Sequence, residues 1–188
     1  KLSELGVKTM IVKAYGSDGW NPANKKSFII TEAIEPTKSL DECCNPETLT
    51  NLGIFQRRKL VAKLAGITRT IHENGVNHRD YYLCHFLIDT TDGNLKDFFN
   101  KQDISLIDLH RVQIRKQTPK RWRHKDLSAL HYSATHSGFN QRDALCFIRE
   151  YNRSSLREAL NEDLNFWESV SLEAKKLNHK GIRKGYHN

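Results

Sequence analysis

Gly75-Val76-Asn77-His78-Arg79-Asp80-Tyr81-Tyr82-Leu83-Cys84-His85-Phe86-Leu87-Ile88-Asp89 and, further on, Ile107-Asp108-Leu109-His110-Arg111 are the stretches on which the reading of this chain turns. They set a carboxylate, Asp80, in a polar loop, a metal-capable His85 five positions later, and a second carboxylate, Asp108, at the end of a later apolar run. Phosphoryl transfer asks a protein for little covalent work. It needs a carboxylate to orient a hydroxyl and accept its proton, and ligands for a divalent cation that bridges phosphates. Asp80 is the candidate base, and His85 with Asp108 the candidate metal and phosphate ligands. A turn Asp and a strand-end Asp are the plainer readings of the two carboxylates, and their joint placement weakens both.

The neighbouring polar residues each carry more than one reading. Mg²⁺ prefers oxygen ligands, so His85 either binds Mg²⁺ or Mn²⁺ weakly, contacts a phosphate, or is a satisfied structural histidine. His78 is expected to orient the loop through a backbone hydrogen bond rather than to move protons. Arg79 holds a carboxylate or a phosphate, and an internal ion pair is the expectation. Asp126, in Arg123-His124-Lys125-Asp126-Leu127, braces the loop through backbone amides or offsets helix N-terminal charge. Arg111, Arg115, Lys116, Lys120, Arg121 and Arg123 follow Asp108, where an anionic acceptor would rest, or else form a solvated loop.

Outward from this centre, Met10 to Tyr15 and Ser27-Phe28-Ile29-Ile30 read as a hairpin around a Gly/Asn/Lys-rich loop containing Pro22. Pro36 ends the strand, and Ser39 caps a short helical piece to Glu42, a hinge between two lobes. From about Thr48 to Asn74 apolar residues recur every three or four positions, and Gly75 stops that helix. Phe86–Asp89 and Ile104–Ile107 are short strands around a polar segment with Asp92-Gly93 as its turn. Helices follow from about Arg123 to His136, from an Asn140 cap to about Tyr151, after Ser154 or Ser155, and from Asp163 to Asn178. The class is α+β, divided at residues 1–34 and 35–188.

The chain has 188 residues, a formal net charge of +8 and no apolar run near the roughly 18 residues of a membrane span. The surplus gathers in Arg111 to Lys125 and Lys175 to Lys184, so an anionic partner is implied: a phosphate, a lipid headgroup, an acidic protein or a nucleic acid. Finger spacing, Arg-Gly repeats and an RNP-like strand are missing, so no nucleic acid is expected. Cys43, Cys44, Cys84 and Cys146 lack framework spacing, which fits a reducing compartment. Lys1 stands where an initiator Met would, and Lys1 to Gly6 reads like a helix end closed by glycine.

Ser27-Phe28-Ile29-Ile30-Thr31-Glu32, Gly75 to Leu87 with Cys84-His85-Phe86, Ile107-Asp108-Leu109-His110-Arg111, Arg121-Trp122-Arg123-His124-Lys125-Asp126-Leu127 and Gln141-Arg142-Asp143 together resemble the lipopolysaccharide core heptose(I) kinases, the WaaP/RfaP family within the Kdo/WaaP kinase group. The resemblance implies a protein-kinase-like fold with a mostly helical C-terminal lobe and the last strands of an incomplete N-terminal lobe. It also implies use of ATP with Mg²⁺ (Mn²⁺ as alternative) and phosphorylation of an inner-core heptose, the acceptor being an anionic glycolipid met peripherally on the cytoplasmic face of the bacterial inner membrane. Carried over by position, Asp80 is the base, His85 and Asp108 the metal site, and Glu32, Ala33 and Ile34 the adenine hinge, which binds through its backbone. From the residues themselves, His78, Arg79 and Asp126 are expected to support the loop, and Arg111, Arg121 and Arg123 to bind the acceptor. Tyr82 departs from the Lys that Ser/Thr protein kinases carry there. The Gly-rich loop, the strand Lys and its Glu partner are not found in this sequence, so it is expected to be an N-terminally truncated fragment, inactive alone. A Kdo kinase, another phosphotransferase of this kind, or a non-catalytic module docking an acidic partner such as a carrier protein are the alternatives.

Overall fold

The computed structural model describes residues 1–21, 24–91 and 103–183. Pro22, the expected Asp92-Gly93 turn and Lys184 lie outside them. A 3-10 turn at Ser3–Leu5 is closed by Gly6 in the left-handed region at φ 71°, its N–H on the Ser3 carbonyl. The chain continues as β1 (Lys8–Thr9), β2 (Val12–Asp18), β3 (Lys26–Thr31), β4 (Thr37–Ser39), α1 (Leu40–Cys43), α2 (Pro46–Asn51) and α3 (Ile54–Glu73). Then come β5 (Val76–Asn77), β6 (Phe86–Asp89), β7 (Ile104–Leu106), β8 (Gln113–Ile114), α4 (Lys120–His136), α5 (Gln141–Asn152) and α6 (Leu156–Arg183). Strands concentrate early and helices late, an α+β architecture.

Among the described residues the strands form three small sheets: β1-β7-β6-β4, the hairpin β2-β3, and the ladder β5-β8. In the first, β1 runs parallel to β7, and the other pairs are antiparallel. This sheet therefore draws strands from both sides of residue 34. Phe86, Ile88, Ile104 and Leu106 point from β6 and β7 into the main core. They meet the stripe that α3 buries at Leu60, Val61, Leu64, Ile67 and Ile71, whose spacing of three and four is that of one helix face. The β2-β3 hairpin differs: Tyr15, Phe28, Ile29 and Ile30 are all exposed.

Several boundaries depart from the sequence reading, each for a local reason. The single helix expected from Thr48 is two helices, because Gly53 sits at φ 78°, outside helical geometry. The first of them starts at Pro46, with the Asn45 side chain accepting the Thr48 N–H at 2.7 Å. β4 stands where only a hinge was expected. Its three residues pair Thr37 with Asp89 and Ser39 with Leu87. α4 begins at Lys120 behind Pro119, so Asp126 lies in its second turn. That is beyond the reach of the helix N-terminal charge. The two last expected helices adjoin as α6 across a non-helical Asp163. Helices α3 and α5 are joined by Arg57, which donates from Nε to Asp143 at 2.8 Å and from Nη2 to the Gly138 carbonyl at 3.2 Å.

Candidate active site

The His78-Arg79-Asp80 loop is held from three sides. Ahead of it, β5 pairs with β8, Val76 opposite Ile114 and Asn77 opposite Gln113. The pairing runs on into Gly75, whose carbonyl accepts the Arg115 N–H at 2.8 Å. Gly75 has φ 77°, and a Cβ there would lie 1.9 Å from the Arg115 carbonyl oxygen, so no other residue fits. From below, the fully buried Asp126 carboxylate accepts the backbone N–H groups of His78 and Arg79, both at 2.7 Å, with His72 Nε2 at 3.4 Å. These charge-assisted bonds offset the left-handed backbone of Arg79, φ 79°. From the side, His78 Nε2 donates to the Ile107 carbonyl at 2.9 Å, which ties the loop to the strand end that carries Asp108. Burial pushes the pKa values of both His72 and His78 down, so both are neutral.

Hairpin register brings His85 and Asp108 together. Phe86 pairs with Leu106, so the residues just outside that pair become neighbours, and the Ile107 N–H donates to the His85 carbonyl at 3.0 Å. Asp108 then turns through the left-handed region, φ 60° and ψ 55°, and its Oδ2 faces His85 Nε2 at 3.2 Å. His85 Nδ1 donates to the Asp80 backbone carbonyl at 2.6 Å. The other Asp108 oxygen pairs with His110 Nδ1. Asp80 itself is 19% exposed: Oδ1 accepts from Arg111 Nη1 at 2.7 Å, and Oδ2 is buried with no hydrogen-bond partner among the described residues. Beneath lies Tyr81, fully buried, its hydroxyl 3.0 Å from Thr68 Oγ1.

The remaining sequence-predicted residues disperse. Glu32, Ala33 and Ile34 form the link from β3 to β4. The Glu32 N–H bonds the Ile11 carbonyl at 2.9 Å, its carboxylate pairs with Lys13 at 2.8 Å, and the Ile34 carbonyl accepts from Thr37 Oγ1 at 2.7 Å. Because Thr37 is opposite Asp89, the link meets β6 at the end away from His85. Arg111, expected to face an acceptor, grips Asp80. Arg121 lies over the Trp122 ring, and Arg123 over Phe166. Arg79 makes no ion pair among the described residues; its guanidinium stacks on Trp122 at 5.2 Å, an apolar face where a carboxylate was expected. Arg111 as partner of Asp80, and His110 as partner of Asp108, were not read from the sequence. Nothing local signals the first, which joins residues 31 positions apart.

The His85–Asp108 pair suits a cation. With Nδ1 donating to a backbone carbonyl, a neutral His85 turns an Nε2 lone pair towards the Asp108 carboxylate. Two electron-rich atoms 3.2 Å apart need a proton or a cation between them. An imidazole that gives its second N–H to a carbonyl is also the arrangement metal-binding histidines take. Among the described residues no group of three or more His, Cys, Asp and Glu gathers to hold a metal. A cation here would complete its shell from phosphate oxygens and water, as Mg²⁺ commonly does.

Comparison with known proteins shows the family. Residues 1–151 match the model of the lipopolysaccharide kinase (Kdo/WaaP) family. The chain is 40% identical over 188 residues to the lipopolysaccharide core heptose(I) kinase WaaP of Escherichia coli strain K12, covering 98% of this chain and 69% of that protein. It is 42% identical over 185 residues to the heptose(I) kinase WaaP of Pseudomonas aeruginosa PAO1, covering 98% and 68%. A solved structure of WaaP in complex with acyl carrier protein superposes with a TM-score of 0.79 at 41% identity, covering 94% of this chain and 72% of that one.

Proposed function

The chain belongs to the lipopolysaccharide kinase (Kdo/WaaP) family, and from that premise we propose that it transfers the γ-phosphoryl group of ATP to a heptose of the lipopolysaccharide inner core. The observation that carries the chemistry is the state of Asp80. One carboxylate oxygen is fixed by Arg111, while the other, Oδ2, has no hydrogen-bond partner among the described residues and would be the one to accept a hydroxyl proton. Asp80 is the base in this reading. Arg111 holds the carboxylate in place, and the Asp126 bonds keep the loop from shifting as the acceptor docks. His85 and Asp108 would hold Mg²⁺, whose chemistry when bound is to neutralise charge on the transferring phosphates. The link at Glu32, Ala33 and Ile34, exposed at its first two residues, would meet the adenine through its backbone. Residues 1–34 and 35–188 would act as two lobes about that link, with β1 of the first joined to β7 of the second.

The acceptor is an anionic glycolipid, and the net charge of +8 favours a peripheral place on the anionic cytoplasmic face of the inner membrane. Among the described residues no helix is long and apolar enough to cross a membrane. An acidic carrier protein is proposed as a further partner, supported by the solved WaaP complex with acyl carrier protein and by the same charge.

Incubation of the intact protein with ATP radiolabelled in the γ position and lipopolysaccharide whose inner-core heptose is unphosphorylated tests the substrate. Label on heptose is expected after hydrolysis of the core. Label confined to another sugar, or none at all, contradicts the proposal.

A further inference from the structure

Four cations surround the ring of Trp122 in the first turn of α4. The guanidinium carbons of Arg121, Arg79 and Arg115 lie 5.1, 5.2 and 5.6 Å from its centroid, and the Lys125 ammonium 5.6 Å. Each gains something from the indole face. Gathering like charges around one ring is nonetheless unfavourable without a counter-charge. Among the described residues none of the four forms an ion pair with a carboxylate. Arg115 donates instead to neutral oxygens, Asn77 Oδ1 and Gln113 Oε1, both at 2.5 Å. The carboxylate on the same helix, Asp126, is fully buried and committed to the His78 and Arg79 amides.

A second observation points the same way. Trp122 Nε1, Arg79 Nε and Asn77 Nδ2 are all buried without a hydrogen-bond partner among the described residues. Buried donors of this kind are almost always satisfied. Each of the three is an N–H group, so what the cluster lacks is an acceptor. Charge and hydrogen bonding thus call for one kind of guest, with several oxygen lone pairs and a negative charge.

We propose that the cations around Trp122 form a binding site for an oxyanion, a carboxylate or a phosphate carried by the lipopolysaccharide acceptor. The inference rests on the kinase reading for the identity of the acceptor, and on the cluster itself for the anion. Arg79 immediately precedes Asp80, so an anion held by its side chain anchors the acceptor next to the base and orients the hydroxyl to be phosphorylated. Arginine forks suit the planar or tetrahedral oxygens of either group.

The anion is tested first without turnover. Inorganic phosphate and, separately, acetate are titrated into the intact protein while the indole N–H resonances of its three tryptophans are followed, Trp122→Phe assigning the relevant one. The Trp122 resonance is expected to move, more for phosphate if the natural group is a phosphate and more for acetate if it is a carboxylate. Loss of one charge-assisted contact, in Arg121→Gln or Lys125→Gln, should weaken the anion about tenfold. A resonance unmoved by both anions overturns the site. The same variants should raise KM for the acceptor about tenfold and leave KM for ATP unchanged. An unaltered acceptor KM overturns the assignment to the acceptor. Failure of the kinase reading looks different: no phosphate reaches any acceptor, while the Trp122 resonance still responds.

Discussion

Asp126 shows how much a single buried carboxylate can organise. It takes the amides of His78 and Arg79, stands 3.4 Å from His72, and so couples the loop to a histidine that also bonds the Tyr151 hydroxyl at 2.9 Å. Burial outweighs the attraction of Asp126 and lowers the pKa of His72, and it lowers that of His78 as well. Both histidines regain an ordinary pKa near 6.5 when the chain unfolds. The unfolded state then binds more protons in acid, so the stability these two neutral rings contribute is fully present above about pH 6.5 and is lost as pH falls below it. Urea midpoints measured at about pH 7.5 and about pH 5.5 should therefore differ, with the lower one in acid, and His72→Gln should shrink the difference. Equal midpoints would show that the rings are not buried as described.

At the scale of elements, legibility in the sequence followed length and apolar content. The β6 and β7 runs are apolar enough to be read as strands, and their pairing alone brings His85 beside Asp108. α3 and the Asn140 cap of α5 were readable for the same kind of reason, a local pattern with a local cause. What stayed hidden depends on distant partners. β1, β5 and β8 are two residues long each, and β4 is a polar Thr-Lys-Ser whose partner strand lies about fifty residues on; only the assembled sheets define them. The grip of Arg111 on Asp80 and the stacking of Arg79 on Trp122 belong to the same class. Gly75 joins both worlds, a helix stop in sequence and an obligatory close approach in space. Gly75→Ala should cost at least about 2 kcal/mol, since it forces a left-handed Ala into a 1.9 Å clash with the Arg115 carbonyl. A guanidinium denaturation midpoint equal to that of the unaltered protein would contradict that geometry.

For the molecule as a whole, helices supply the mass while the proposed site sits where β5, the β6-β7 hairpin and α4 converge. Their meeting places a half-free carboxylate beside a metal-suited pair, on a chain whose surplus of positive charge suits an anionic acceptor. Family membership, established over residues 1–151 and by relatives at about 40% identity, gives that arrangement its substrate class. Asp80→Asn tests the central claim most directly, because it keeps the shape of the side chain and removes the proposed base. Its pairing with Arg111 is partly exposed, so little stability should be lost. In the intact protein kcat for heptose phosphorylation should fall about a thousandfold with the denaturation midpoint nearly unchanged. A kcat close to that of the unaltered protein, in a variant that is folded, would contradict the account.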